Sequence, residues 1–362
     1  MVENIQQAAA SLLIVGFPAG VVTDELRRLL KRGGGGVILF ERNIDNPAQV
    51  ADLINEVQAN RRGEAPLLVA VDQEGGPVSR LKEPVTQFPA LEVLGRTDDE
   101  VLAERLGTVL AHELRRIGFN LNLAPVMDVN SNPDNPVIGS RALSSDPYQV
   151  AKLGVAIIRG MQSHGLLACA KHFPGHGDTS VDSHLELPVL KHDMERLRSV
   201  ELVPFEAAVH AGVATIMTAH VCQEALDPGI PATLSVKTVE GLLRRQMGYR
   251  GVVISDDLEM KAVLDHFGIE EAVRRALTAG VDLFLVCHDV ERQEQALEAL
   301  VRASESSSTL RNRLLESAAR VARLREGLGT CEPVDSAAVR HFLGTPDHRA
   351  VAEAIVRRGR RG

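Results

Sequence analysis

The chain's densest stretch of reactive side chains is Lys171-His172-Phe173-Pro174-Gly175-His176-Gly177-Asp178-Thr179-Ser180-Val181-Asp182-Ser183-His184, with three histidines, two aspartates and a lysine in fourteen positions. Pro174, Gly175 and Gly177 exclude a helix. The apolar run Leu166 to Ala170 in front of it reads as a strand, so the stretch is a loop at a strand's C-terminal end. Two chemistries suit it. His172, His176, Asp178 and His184 could ligate a metal, although no helical His-Glu-x-x-His pairing is present and Lys171 would set a cation beside the ion. Alternatively, Asp182-Ser183-His184 builds a proton-transfer pair. Side chains at i and i+2 of extended chain point the same way, so the Asp182 carboxylate reaches one imidazole nitrogen of His184. That bond fixes the tautomer and stabilises the protonated ring, which makes histidine an effective acid/base. The plain alternative is that the aspartates and Ser183 only form local turns.

The rest of the chain must position this loop. Short apolar runs alternate with amphipathic helical stretches as far as Cys287. The expected strands are Leu12 to Phe17, Gly36 to Phe40, Leu67 to Asp72, Asn120 to Asp128, Leu167 to Phe173, Thr215 to Val221, Gly251 to Asp257 and Leu283 to Cys287. Most are continuously apolar, the mark of parallel strands covered by helices on both faces. Asn46-Pro47 and Asp146-Pro147 each set a capping residue before a proline at the first helical position, and Ser235 opens a helix running to Gly248. Eight such alternations predict a (β/α)₈ TIM barrel. A doubly wound sheet is the weaker choice, because no Gly-x-Gly-x-x-Gly follows the first strand and Gly33 to Gly36 precedes a strand instead of opening a helix. Helical stretches at Val290 to Ala303, Thr309 to Leu328 and from about Asp347 complete the chain. We read residues 1–362 as one domain, with C-terminal helices from about 304–362 on its outside.

Composition narrows the partners. A formal charge of −8 over 362 residues, spread along the chain, argues against nucleic acid. The short basic run Arg357, Arg358, Arg360 and Arg361 reads as a helix end. Four cysteines with no Cys-x-x-Cys pair argue against a disulfide scaffold, and Cys169, Cys222 and Cys287 fall in apolar runs, as buried thiols do. No segment is long enough to span a bilayer. Glu3 precedes any cation and the Leu12 to Val15 run is short, which fits a first strand better than a signal peptide. A cytoplasmic, reduced, monomeric protein is expected.

A barrel enzyme builds its site at the C-terminal ends of its strands. Those ends carry Asp72-Gln73-Glu74-Gly75-Gly76 with Arg80 nearby, Asp128 followed by Asn135-Pro136-Val137-Ile138-Gly139-Ser140-Arg141, the histidine loop, His220, and Ser255-Asp256-Asp257. Each has an ordinary explanation; the last could simply cap a helix beginning at Leu258. Their convergence on one end of the barrel, without a cofactor motif, suits a substrate rich in hydroxyls, such as a sugar. Glycosidic cleavage needs one group to protonate the leaving oxygen and a carboxylate across the anomeric carbon. Asp256 can be that nucleophile and His184, oriented by Asp182, the acid and then the base. Asp72, Arg141, Lys171 and His172 would hold hydroxyls.

The run KHFPGHGDTSVDSH, with Leu185-Glu186-Leu187-Pro188 after it, resembles the loop signature of bacterial β-N-acetylhexosaminidases of glycoside hydrolase family 3 (the NagZ type). VDQEGG, APVMDV with NPVIGSR, and VISDDLEM are similar to the family's other motifs and occur in the same order, so the resemblance covers Leu12 to about Ala303. It implies Asp256 as nucleophile and the Asp182–His184 dyad as acid/base, with sugar contacts from Asp72, Arg80, Arg141, Lys171 and His172. It implies no metal and no cofactor. The implied reaction removes terminal β-linked N-acetylglucosamine from muropeptide fragments or chitooligosaccharides, during cell-wall recycling in the cytoplasm. Where Gram-negative members often carry Arg-Val-Gln-Arg, this chain has Gly76-Pro77-Val78-Ser79-Arg80, which keeps Arg80 but alters its loop. The alternatives are a phosphorylase using the same residues, a β-glucosidase, a metal-dependent barrel hydrolase, and a non-catalytic sugar-binding protein.

Overall fold

The computed structural model describes residues 4–183 and 186–360. Eight parallel strands close into a barrel: β1 (Leu13–Val15), β2 (Gly36–Leu39), β3 (Leu68–Val71), β4 (Leu121–Asn122), β5 (Leu167–Phe173), β6 (Thr215–Thr218), β7 (Val252–Asp257) and β8 (Leu283–Val286). Each pairs with its sequence neighbours, and β1 pairs with β8 to seal the ring. All eight lie within the runs expected from sequence. Their side chains are almost entirely buried because the helices cover the outside while the barrel fills its own interior. β4 is much shorter than its apolar run, since Pro125 lacks an amide hydrogen for the ladder; only Val126 bridges again, to Lys171.

The outer ring is α1 (Asp24–Lys31), α2 (Pro47–Ala59), α3 (Glu100–Ile117), α4 (Pro147–Gln162), α5 (Leu202–His210), α6 (Lys237–Gln246, wound as a π-helix), α7 (Lys261–Ala279) and α8 (Val290–Ser306). Sequence punctuation explains their starts. Asn46 accepts the amides of Ala48 and Gln49, Asp146 that of Tyr148, and Ser235 that of Thr238.

Two further helices, α9 (Ser308–Glu326) and α10 (Pro346–Gly359), lie against the barrel wall. α9 is held by Asp282, a fully buried carboxylate at the start of β8 that accepts from Arg313, Ser317 and Arg320 as well as from Arg244 and the Val253 amide. α10 is tied through His348, whose Nδ1 donates to buried Glu113 of α3 at 2.8 Å. Among the described residues no helix is long and apolar enough to cross a membrane. Cys169, Cys222 and Cys287 are buried free thiols.

Candidate active site

At the C-terminal end of the barrel a cavity of about 220 Å³ is walled by residues from seven of the eight strand ends or the loops that follow them, Phe40, Asp72, Arg141, Lys171, Met217, Asp256 and His288 among them. Asp72 and Glu74 follow β3 two positions apart in extended chain, so they share a face. Both reach Lys171 on β5: Nζ donates to Asp72 Oδ1 at 2.7 Å and lies 2.6 Å from Glu74 Oε1. Arg141, on the loop after β4, forms a two-pronged pair with Glu74, Nε to Oε2 at 2.9 Å and Nη2 to Oε1 at 2.8 Å. Two acids therefore neutralise two bases in a nearly dry layer. Burial alone would raise the Glu74 pKa, but Lys171 and Arg141 override it and hold it at about 2. Asp72 is the outward acid of the pair, with 14 % of its side chain exposed against 1 % for Glu74.

Asp128 lies under His172. Its fully buried carboxylate accepts from His172 Nδ1 at 2.7 Å, from the His172 amide, and from the His176 amide at 2.7 Å. Burial opposes its ionisation, yet His172 and these donors keep its pKa below the ordinary value. Nδ1 of His172 is thereby fixed as a donor, leaving Nε2 for whatever occupies the cavity. Lys171 and His172 are adjacent yet both reach this cavity. One extra residue in β5 between Ala170 and Phe173, relative to β6, breaks the alternation there.

β7 repeats the device. One extra residue between Ile254 and Asp257, relative to β8, lets Asp256 and Asp257 line the same cavity. Asp256 Oδ1 accepts the Asp257 amide at 2.8 Å. The Asp257 carboxylate accepts the Glu259 amide at 3.1 Å and pairs with His288 Nε2 at 3.3 Å, which raises the His288 pKa. His220 lies behind them, with Nδ1 on the Thr233 hydroxyl and Nε2 on the Asp257 carbonyl, so it braces the strand end.

A family model for the glycosyl hydrolase family 3 N-terminal domain matches residues 5–324. The chain belongs to that family, among its β-N-acetylhexosaminidases. It is 37 % identical to β-hexosaminidase A of Pseudoalteromonas piscicida over 354 residues, 90 % of this chain, but spans only 58 % of that protein's length. It is 42 % identical to the β-hexosaminidase of Thiobacillus denitrificans over 283 residues, covering 76 % of this chain and 78 % of that one. A family 3 β-N-acetylglucosaminidase from Paenibacillus sp. str. FPU-7 superposes with a TM-score of 0.92 at 41 % identity, covering 98 % of this chain and 69 % of that one. NagZ from Neisseria gonorrhoeae, solved with N-trifluoroacetyl-D-glucosamine, superposes with a TM-score of 0.78 at 32 % identity, covering 96 % and 98 %.

Against this family background, the structure brings Asp72, Arg80, Arg141, Lys171, His172 and Asp256 together on one cavity wall. Arg80 stands at its rim, 4.0 Å from Asp72 and with its guanidinium 5.9 Å from the Phe40 ring centre. Asp182 is half-buried and precedes Ser183, which lines the cavity. His184 lies outside the described residues. Regular alternation would turn Asp257 away from the side Asp256 faces, but the extra residue in β7 brings it round. Nor does Ser255-Asp256-Asp257 cap a helix at Leu258: β7 runs to Asp257, and the next helix starts at Lys261 with Met260 as its cap.

The described members of the metal-ligand set are bound elsewhere. His172 is held by Asp128, the His176 ring nitrogens by the Thr179 and Ser183 hydroxyls, and Asp178 by Ser131 and His192. Among the described residues no three His, Cys, Asp or Glu side chains are grouped to hold a metal ion. The loop's two glycines also differ. Gly175 has φ +132°, a left-handed conformation. Gly177 is glycine because a Cβ there would sit 1.8 Å from the Val129 carbonyl oxygen. The described part of the loop is packed down, with His176 and Thr179 buried.

Glu74 and Asp128 escaped the sequence reading as working residues, and so did the Asp257–His288 pair. For Glu74 the signal was present: it lies two positions from Asp72 and therefore on the same face. Glu74→Gln keeps the shape but leaves Lys171 and Arg141 with one acid fewer. Breaking a buried ion pair from one side costs about 3–5 kcal/mol, so urea denaturation is expected to show a loss of that order, with a raised KM in the folded fraction. Unchanged stability and KM would reduce Glu74 to a bystander.

His176 anchors Ser183 through Nε2 at 2.8 Å. Burial, reinforced by repulsion from His172, lowers its pKa from 6.5 to about 4. The folded state thus disfavours its protonated form. Its contribution to stability is complete above pH 6.5 and is lost as the pH falls from there toward 4. Between pH 7 and pH 5 the loss is about 2 kcal/mol. Denaturation at both pH values should show that fall in the wild type and a smaller one in His176→Gln; equal falls would assign it to other groups.

Proposed function

We propose that this chain is a retaining exo-β-N-acetylglucosaminidase that removes terminal β-linked N-acetylglucosamine from muropeptide fragments. The observation that carries this reading is the cavity itself. At about 220 Å³ it falls below the roughly 300–1,000 Å³ of drug-sized pockets, so it suits one sugar ring at a chain end. Its lining supplies charged donors and acceptors for hydroxyls together with the Asp256 carboxylate.

In this reading Asp72, Lys171, Arg141, His172 and Arg80 grip the terminal sugar. Asp256 attacks the anomeric carbon and forms a glycosyl-enzyme ester while His184 protonates the departing oxygen. His184, held by Asp182, then takes a proton from water, which hydrolyses the ester with net retention. Glu74 and Asp128 do not touch the sugar; they hold Lys171, Arg141 and His172 in place. The names of the relatives support the hexosamine specificity. Action in the cytoplasm as a monomer belongs to the same proposal.

Trapping with a 5-fluoro N-acetylglucosaminyl reagent followed by peptide mapping tests it. A label on the peptide bearing Asp256, released with time, is expected. No covalent label, or a label on Asp257, would overturn the nucleophile assignment. Products formed in phosphate buffer separate hydrolysis from phosphorolysis: free sugar supports the proposal, and a sugar phosphate replaces it.

A further inference from the structure

A second cavity, of about 390 Å³, lies on the outside of the barrel and shares no residue with the central one. Its walls come from the later turns of α3, from the turn after α4, and from the segment leading into α10, part of which lies beyond residues 5–324 that match the family. Six of its lining side chains can carry positive charge: His112, Arg115, Arg116, His164, His341 and His348. Among the described residues no carboxylate lines it. In a chain with a formal charge of −8 such segregation needs a reason.

The histidines are arranged, not merely near. His112 meets His164 edge to face with ring centres 4.7 Å apart, and its ring centre lies 6.0 Å from that of His348. His164 Nδ1 is committed to the Gly160 carbonyl at 2.9 Å, and His348 Nδ1 to Glu113 Oε1. Glu113 is itself fixed below the cavity by Thr86 and by the Gly344 amide. Each of these two rings therefore keeps Nε2 for a ligand. Arg116 stacks on Phe342 with its guanidinium 4.2 Å from the ring centre, which holds a donor fork beside an aromatic surface. Burial, with repulsion from His164, His348 and Arg116, lowers the His112 pKa. Arginines beside the rings disfavour a cation and suit an oxyanion, which accepts from guanidinium and imidazolium donors together.

We propose that this cavity is a binding site for an oxyanion of the phosphate class. Calorimetric titration of the full chain with sulfate, inorganic phosphate and adenosine monophosphate, against chloride at equal ionic strength, tests it. Sulfate keeps both charges from pH 6 to pH 8, so any change in its affinity reports on the protein. One sulfate is expected to bind at pH 6, and about tenfold more weakly at pH 8 if imidazolium donors share the anion with the arginines. Ring resonances of His112, His164 and His348 should move on binding. The double variant His112→Gln, Arg116→Gln should lose the sulfate while hydrolysing a β-N-acetylglucosaminide at the wild-type rate. Tighter binding of the nucleotide than of phosphate would identify a phosphate ester stacked on Phe342 as the ligand; equal binding would identify the free anion. No binding beyond chloride, unchanged binding in the double variant, or a response to Zn²⁺ in place of sulfate would overturn the proposal.

Discussion

Asp256→Ala is expected to lower kcat by at least about 10⁴-fold, because loss of a covalent nucleophile removes the first chemical step and not merely a binding contact. The fold should survive. Asp256 is half-buried at the end of β7, facing a cavity, and one hydrogen bond it accepts comes from the neighbouring Asp257 amide. Azide, small enough for the vacated space, should restore part of the turnover and give a glycosyl azide of inverted configuration. Asp257 makes the necessary comparison because it lines the same cavity. Its carboxylate already serves the Glu259 amide and His288, so Asp257→Ala should disturb the site without removing the nucleophile and should not respond to azide. A dead Asp257→Ala beside an active Asp256→Ala would move the nucleophile by one position.

That pair also marks where sequence reasoning reaches its limit. The barrel was legible because buried parallel strands need continuous apolar runs, such as Leu283 to Val286, and because Asn46-Pro47 and Asp146-Pro147 announce helix starts locally. The strand ends could be listed, and the six residues offered as sugar contacts or nucleophile, Asp72, Arg80, Arg141, Lys171, His172 and Asp256, all reach one cavity, whereas His220, noted at a strand end without a role, is a buried brace. Alternation, however, holds only in a regular ladder. β5 and β7 each carry an extra residue where the site is built, so Lys171 with His172, and Asp256 with Asp257, face one cavity as adjacent residues. A misplaced residue of this kind leaves no local mark in composition. Asp128 was hidden for another reason: its importance lies in accepting from His172 and His176, forty-four and forty-eight positions away, a closeness only the barrel creates.

His184→Ala should harm substrates in proportion to how much their leaving group needs a proton. A dinitrophenyl β-N-acetylglucosaminide releases a stable anion, so its glycosylation step should survive nearly intact. A sugar or alkyl leaving group departs as a strong base unless protonated, and its step should slow by about 10²–10⁴-fold, the usual yield of positioned acid/base catalysis. Asp182→Ala should show a weaker form of the same pattern, since the imidazole remains but loses the carboxylate that orients it and raises its basicity. His176 supplies the control. Its ring is buried and holds Ser183, so His176→Gln should disturb the loop and slow both substrates together instead of discriminating between them. Asp72→Ala should likewise slow both, because contacts to the terminal sugar are indifferent to the leaving group. Rapid-quench measurement of the glycosylation step on the two substrates distinguishes these cases. Equal losses in His184→Ala would remove that residue from the chemistry, and selective loss of the alkyl substrate in His176→Gln would pass the role of acid to His176.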